Sequence, residues 1–492
     1  MAAATKNVLV LGGSYAGGRA ARLLSQQLPP THRVILIDRN SHHNHLYVFP
    51  RYAVVKGHEH KAFIPYAKFD NSKTDNAASQ SRSLKGGRAG ELVRPHLSAE
   101  LHRVDSTSNI LLNSGPQNPT NGHGNSDHLI LHAAVERIDA NSVKLSKAFP
   151  ELGMQDTIEF EYMVYALGSI MPRSLQMDSK TLQSGTKESG TNWLQHRQRV
   201  IEQNDRIVIA GGGALGIQLA SDIKNTYPNK SVTLIHSRDR LLPRFDPQMH
   251  DIIVEALTKL DVECILQDRI ELTNTTLDFD GHVEEKRVMT RNGRRIECDL
   301  VLMCTGQKPN TELLKQLSPS SIDPATNLAK VTRSMQLASL KEHLGEEQTE
   351  ADTKADTKAD AKSSVDATTN AAAIDMRKSI PESYSNLAPS SYPHIYVIGD
   401  AADAYGALHA GHTGWNQAEF AVGNIIRQIQ QDTESEPKLY YAGKPAIKLT
   451  TGLHSAVIQL GDDITVNDNC PVDLDAASAW RFSGADTTDM RK

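Results

Sequence analysis

Val8-Leu9-Val10-Leu11-Gly12-Gly13-Ser14-Tyr15-Ala16-Gly17 decides the fold. Four apolar residues without a polar break predict a strand buried on both faces, and a glycine turn follows at once. Residues 18–28 carry small and apolar side chains at helical spacing. Residues 34–37 form a second apolar run that ends at Asp38. The order is strand, glycine turn, helix, strand, acid. Such a turn aims backbone N–H groups at a pyrophosphate lying on the positive end of a helix. An acid 21 residues past Gly17 stands where a ribose hydroxyl needs an acceptor. Gly12, Gly13, Ser14, Tyr15, Ala16, Gly17 and Asp38 are therefore the expected residues of a first dinucleotide site. Ser14 stands where the fingerprint has its second glycine, and its small size keeps a close approach open.

The pattern recurs 199 residues later. Residues 206–210 read as a strand, Gly211-Gly212-Gly213-Ala214-Leu215-Gly216 is a complete GxGxxG, 217–225 read as a helix and 232–235 as the next strand. That strand ends in His236-Ser237-Arg238, without an acid. A 2′-phosphate is then not repelled, and Arg238 or Arg240 is placed to bind it. Ordinary surface charge explains the same arginines, and the sequence leaves both readings open. Gly211, Gly213, Ala214, Leu215, Gly216, Ser237 and Arg238 make up the expected second site, for a nicotinamide dinucleotide with or without the 2′-phosphate.

Three further strand ends share one trait. Residues 158–165 lead into Ala166-x-Gly168, 300–304 into Thr305-Gly306, and 394–398 into Gly399-Asp400. Small residues there let backbone approach a ligand, and the Asp400 carboxylate can accept hydrogen bonds from a polyol chain. A helix is expected over 414–426. Two strands, 446–450 and 456–460, open a small C-terminal unit that ends in a polar tail. Arg51 reads equally as a phosphate partner or as surface charge. His42-His43-x-His45 does not put three ligands on one face of a helix or strand, so a polar loop beside a cofactor is expected there and no metal.

Composition narrows the function class. The chain has 492 residues, 53 basic and 58 acidic, with net charge −5, which is no footprint for nucleic acid. Its four cysteines, Cys264, Cys298, Cys304 and Cys470, show no CxxC spacing. They predict neither a disulfide scaffold nor a redox-active pair, and fit a reducing, cytoplasmic setting. No secretory leader or transmembrane run is expected, nor, with a Met-Ala start, N-myristoylation. Residues 71–127 hold no aromatic residue, and 351–362 repeat Ala-Asp-Thr/Ala-Lys. Both 71–127 and 340–386 are expected to be insertions without a core.

Taken together, the two turns, Ala166-x-Gly168, Thr305-Gly306 and Gly399-Asp400 resemble the two-dinucleotide-domain flavoproteins. The stretches 42–66, 227–237 and 395–403 resemble more narrowly the AIF-homologous, mitochondrion-associated inducer-of-death family, the ferroptosis-suppressor type of NAD(P)H:quinone reductase, with fungal members similar around Val48-Phe49-Pro50-Arg51. The resemblance implies an α/β fold of two Rossmann-like domains with a small C-terminal α+β unit. Residues 1–200 and 306–437 would bind FAD, 201–305 NAD(P)H, and 438–492 would form the C-terminal unit. FAD would contact Gly12 to Ala16, Arg51, the Val135 backbone and Asp400, and the helix near Gly414 would face the flavin. The acceptor would be a quinone-like small molecule. The relatives' glutamate two residues past the second motif is Gln218 here; Gln218 is the expected residue for orienting the nicotinamide and Gln417 the one for the acceptor side. Two alternatives use the same motifs: a tailoring oxidoreductase of a biosynthetic pathway, and a nicotinamide-responsive signalling protein.

Overall fold

The computed structural model describes residues 5–67, 128–273, 275–341, 384 and 386–491. In chain order, the strands that position the site are β1 (Lys6–Leu11), β2 (His32–Asp38), β3 (Leu129–His132), β4 (Tyr162–Tyr165), β5 (Arg206–Ala210), β6 (Ser231–Ile235), β7 (Glu263–Ile265), β8 (Leu300–Met303), β9 (Ile395–Val397), β10 (Ala446–Thr450), β11 (Ala456–Leu460) and β12 (Asp463–Asn467). The helices that matter are α1 (Tyr15–Gln27), α2 (Phe49–Tyr52), α3 (Lys187–Glu202), α4 (Ala214–Thr226), α5 (Gly411–Ile429) and α6 (Ala476–Phe482).

Two parallel sheets carry the architecture. The first has the order β9-β4-β1-β2-β3, the second β7-β6-β5-β8, and every neighbouring pair in both is parallel. Parallel strands are buried on both faces, which is why 8–11, 34–37 and 207–209 are unbroken apolar runs. In each sheet the glycine turn lies between the central strand and its crossover helix. That helix sits close to the sheet because its third motif position is glycine. A Cβ on Gly17 would stand 1.8 Å from Gly12 O, and one on Gly216 would stand 1.9 Å from Gly211 O. Gly12 and Gly211 themselves hold φ of +90° and +124°, a region that side chains disfavour.

Ser14 and Gly213 show why serine is tolerated at the second position. Their φ values are −73° and −84°, with extended ψ, so the turn asks nothing there that only glycine can give. A Cβ at Gly213 would meet nothing within 4 Å.

The chain crosses between the sheets twice. The two crossings lie side by side: Ser169–Ile170 pairs antiparallel with Lys308–Pro309. The expected insertion at 71–127 lies outside the described residues, as does most of 340–386. At the ends of the latter, Ala338–Leu340 pairs antiparallel with Leu387–Pro389. The C-terminus departs from the expectation. Beyond β10 and β11 the chain adds β12, which completes a three-stranded antiparallel sheet, and then α6. A polar tail is thereby corrected. Trp480, Ala476, Leu474 and Cys470 are buried, and the Trp480 indole donates to Lys61 O at 2.9 Å. A few apolar anchors among polar residues suffice to dock this segment.

Arg51 is the second correction. It is 1% exposed, so it is not a surface charge. Its Nε donates to Asp222 Oδ2 at 2.8 Å, Nη1 to Leu453 O and Val472 O at 3.1 Å each, and Nη2 to Gly452 O at 2.7 Å. The guanidinium thus ties α2 to α4 and to the C-terminal unit, with four of its five N–H groups committed to protein acceptors. Removing one partner of a buried pair strands the other, so Arg51→Met should lower unfolding stability by about 3–5 kcal/mol. Burial raises the Asp222 pKa and Arg51 opposes the rise, so losing Arg51 raises it further. A carboxyl raised in the folded state favours folding when protonated. The deficit of the variant, read from urea unfolding, should therefore be largest at neutral pH and narrow as pH falls.

Candidate functional site

The first turn lies where α1, the Gly399–Ala401 turn after β9 and the start of α5 converge. A Cβ on Gly414 would stand 2.9 Å from Ala16 Cβ and 3.1 Å from Gly399 Cα, and one on Gly411 would stand 2.9 Å from the Tyr15 ring. Glycine at these points brings three backbones together. α1, α4 and α5 have no side-chain N-cap, whereas Thr186 caps α3 and Asp246 caps Pro247–Lys259. The N-termini behind both glycine turns and at α5 therefore keep N–H groups for another acceptor, at the positive end of each helix.

Asp38 accepts four protein hydrogen bonds. Oδ2 takes the Gly13 N–H at 2.6 Å and the Tyr66 hydroxyl at 3.0 Å; Oδ1 takes the Asn40 N–H at 2.7 Å and its side-chain amide at 3.1 Å. This fills the acceptor capacity of a carboxylate. The expectation of a free ribose acceptor is corrected: Asp38 shapes the turn, and the Tyr66 phenol covers Gly13, its hydroxyl 2.3 Å and its nearest ring carbon 2.5 Å from where a Cβ would be. Asp400 is different. Its Oδ2 accepts from Ser169 Oγ at 3.0 Å and Gln307 Nε2 at 2.9 Å, while Oδ1 has no partner among the described residues.

Each of the two expected catalytic glutamines has a protein partner through one amide atom. Gln218 Nε2 donates to Thr450 Oγ1 at 3.2 Å, holding α4 to β10. Gln417 Oε1 accepts the Gly399 N–H at 2.7 Å and so holds the Gly399–Asp400 turn. Both side chains, 218 and 417, are buried. Of the remaining expected residues, Ala166 N–H donates to Leu11 O at 2.9 Å, and Ala166 O lies 2.5 Å from where a Cβ on Gly12 would be. Gly168 and Gly306, both at positive φ, flank the two crossings. Val135 pairs with Leu145 in a small antiparallel sheet just past β3. Ser237 is half-buried and Arg238 exposed at the end of β6.

Beside the first turn sits a cluster that spacing alone could not assemble. The Tyr15 hydroxyl accepts the Tyr47 N–H at 3.2 Å and meets His45 Nδ1 at 2.9 Å. The His43 ring meets Tyr15 edge-on at 4.9 Å. His43 Nε2, Asn44 Oδ1 and Tyr47 OH are buried without a hydrogen-bond partner. Three orphaned polar atoms beside a glycine turn and an uncapped helix fit a polar cofactor, because burying such atoms unpaired is costly. Tyr66, Ser169 and Gln307 were missed for the same reason: each acts through a partner distant in sequence.

The four cysteines are free. Burial pushes the thiol of Cys264 up to about 11 and those of Cys298 and Cys304 up to about 12, so none is a ready thiolate. No helix among the described residues is long and apolar enough to cross a membrane. Burial also holds His42, His43 and His45 neutral, with pKa values pushed down to about 4, about 3 and about 4. An unfolded histidine takes its proton near 6.5, so the unfolded chain binds more protons below that pH and stability falls on acidification. His43→Gln removes one of these groups. Urea midpoints at pH 7 and pH 5 should drop less for the variant than for the parent chain.

The family model described as pyridine nucleotide-disulphide oxidoreductase matches residues 6–323. Fe-regulated protein 8 of Mycosarcoma maydis is 33% identical over 495 residues, 99% of this chain and 96% of that protein. Human ferroptosis suppressor protein 1 is 27% identical over 306 residues, 62% of this chain and 65% of that protein. Among solved structures, the NAD-dependent persulfide reductase from A. fulgidus superposes with a TM-score of 0.52 at 17% identity, over 92% of this chain and 63% of that one, a likeness of fold. The chain belongs to the pyridine nucleotide-disulphide oxidoreductase family and is an FAD-dependent NAD(P)H oxidoreductase.

Proposed function

We propose that the first turn holds FAD, that the second holds NAD(P)H, and that the electrons leave to a quinone or quinone-like small molecule. One observation carries the reading. The same device occurs twice: a parallel sheet, a glycine turn whose first and third glycines are sterically required, and an uncapped helix behind it. In this assignment residues 1–200 and 306–437 serve FAD, 201–305 serve NAD(P)H, and 438–492 close the second part from outside. Likeness along 99% of the chain to a Mycosarcoma maydis protein, with the shorter match to ferroptosis suppressor protein 1, supports a fungal-like member of the ferroptosis-suppressor type. The four free thiols support a cytoplasmic setting and an acceptor other than a cysteine pair of this chain.

Gly12, Gly13, Ser14, Tyr15, Ala16 and Gly17 would hold the FAD pyrophosphate, with Ala166, Gly168, Gly306 and Gly399 leaving room for it. The free Oδ1 of Asp400 would accept from the ribityl chain, and Val135 would border the adenine. Gly211, Gly213, Ala214, Leu215 and Gly216 would hold the pyrophosphate of NAD(P)H, with Ser237 and Arg238 beyond it. When bound, FAD supplies the two-electron chemistry, hydride acceptance from NAD(P)H and release of electrons to an acceptor. The chain's own part is to bind, orient and exclude water. The uncapped N-terminus of α5 favours negative charge placed before it.

An anaerobic absorbance titration tests the reading. An oxidised-flavin spectrum should bleach with NADH or NADPH and return on adding a soluble quinone. Absence of flavin after attempted FAD reconstitution would overturn it; bleaching without recovery would overturn only the quinone. Asp400→Ala should purify with most of its flavin lost, a fall of at least about tenfold in affinity from a missing charge-assisted hydrogen bond. Full flavin retention would remove Asp400 from the site.

A further inference from the structure

The loop that follows β6, residues 236–246, joins three parts of the molecule. Its middle rests on the second turn. The Leu242 N–H donates to Gly212 O at 3.1 Å, and Leu241 Cδ2 lies 2.4 Å from where a Cβ on Gly212 would be. At its end the Asp246 N–H donates to Gln459 Oε1 on β11 at 3.0 Å. Between these points the exposed Arg244 crosses to the first domain. Its Nη2 donates to Gly406 O at 2.8 Å and to Ala407 O at 3.4 Å. Just beyond Ala407, at Gly411, α5 begins, and its uncapped N-terminus meets the first turn.

The segment that Arg244 holds is strained. Tyr405 has φ of +57° and Gly406 of +76°. A bulky residue rarely enters that region, and it stays there only where its surroundings hold it. Tyr405 is held from within the first domain. Its hydroxyl donates to Val331 O at 3.0 Å, the Arg333 guanidinium lies 4.2 Å from its ring centre, and the Tyr384 ring lies 4.7 Å away. Gly406 and Ala407 are held from the second domain, by Arg244. At the other end of this bridge Leu242 is buried at φ of +47°. One strained residue thus rests against the second turn and another precedes α5. A hydrogen bond from a guanidinium is comparable in size to the strain of one such residue, so gaining or losing it changes which conformation the loop prefers. Arg51 and the paired crossings fix the two sheets against each other, which leaves this surface loop as a route from one site to the other.

We propose that Arg244 couples the two sites. A dinucleotide held by the second turn steadies Gly212 and, through it, residues 241–244. Arg244 then holds residues 405–407, and with them the start of α5, in one setting. Arg244 is a positioning residue: it acts through the 405–407 loop and not on a reacting atom. With the second turn empty, the approach to α5 is looser, so the first site is completed when the electron donor binds. The inference rests on the assignment of NAD(P)H to the second turn and FAD to the first. Coupling of this kind has to show as a differential effect of the ligand on two settings of the loop.

The test is amide hydrogen exchange on the full chain, loaded with its flavin, with and without a saturating ligand. The ligands are ADP-ribose and 2′-phospho-ADP-ribose, which carry the pyrophosphate but no nicotinamide to reach across to the first domain, and calorimetry checks that the one used is bound. No electron transfer is involved. In the parent chain, ligand should slow exchange over 403–410 by about fivefold or more, the lower end of ordinary coupling between sites. In Arg244→Gln the ligand should still slow exchange over 241–246, while the slowing over 403–410 is lost. A purely structural Arg244 would give a different result: exchange over 403–410 would rise with and without ligand alike, and their ratio would stay at the parent value. That result, or a parent chain that binds ligand without slowing over 403–410, would overturn the inference. Binding of neither ligand would instead overturn the reading of the second turn and take the inference with it.

Discussion

One buried guanidinium sets how the two nucleotide domains face each other. Arg51 comes from α2 in the first part of the chain, Asp222 from α4 in the second, and the carbonyls of Gly452, Leu453 and Val472 from the C-terminal unit. A buried ion pair is a poor source of net stability, since desolvation offsets much of its attraction. Its effect is directional. A planar fork with four hydrogen bonds tolerates one arrangement of its partners. Because α4 begins at the second glycine turn, fixing Asp222 fixes the direction in which that turn opens. Ordinary apolar packing between the domains, such as Val54 lying in the same cluster as Ile217 and Leu449, adds affinity without that directionality.

Steric necessity and polar need divide the work within each turn. The first and third glycines are forced by backbone atoms less than 2 Å to about 3 Å from a hypothetical Cβ, and they would be needed whether or not a ligand ever bound. The unspent polar groups point to function: the uncapped N-termini of α1, α4 and α5, Asp400 Oδ1, and the orphaned atoms of His43, Asn44 and Tyr47. Folded chains leave few buried polar atoms unpaired. In this chain three of those orphans lie beside the first turn.

The sequence made the local devices legible. Strand, turn and helix at both motifs follow from contiguous residues, and Gly399-Asp400 was readable as a strand end with a carboxylate. What escaped was every assignment that depends on a partner far away in the chain. Arg51 looked free because Asp222 and the carbonyls it binds lie about 171 to 421 residues on. The partner of Gln218, Thr450, was not in view, nor was the contact of Gln417 with the Gly399 N–H, which spans a turn that only the fold closes. Asp38 was found, but the Tyr66 hydroxyl on it was not. The C-terminal tail read as polar because Trp480 and Leu474 are isolated in sequence and meet Lys61 and the α2 region only in space. Ser14 looked like a defect until backbone angles showed that its position asks for no positive φ.

Asp400 closes the argument about geometry. Its hydrogen-bond donors, Ser169 and Gln307, come one from each of the two crossings between the domains, and those crossings pair with each other through Ser169–Ile170 and Lys308–Pro309. The residue that faces the first site is therefore attached to the hinge strands of the second. Arg51 grips the domains on one side and the paired crossings grip them on another. A rotation of one sheet against the other would break hydrogen bonds at both places at once. Two reactive groups held at the two turns would thus meet in an orientation fixed when the chain folds, and the orientational part of the reaction barrier would already be met before either ligand arrives.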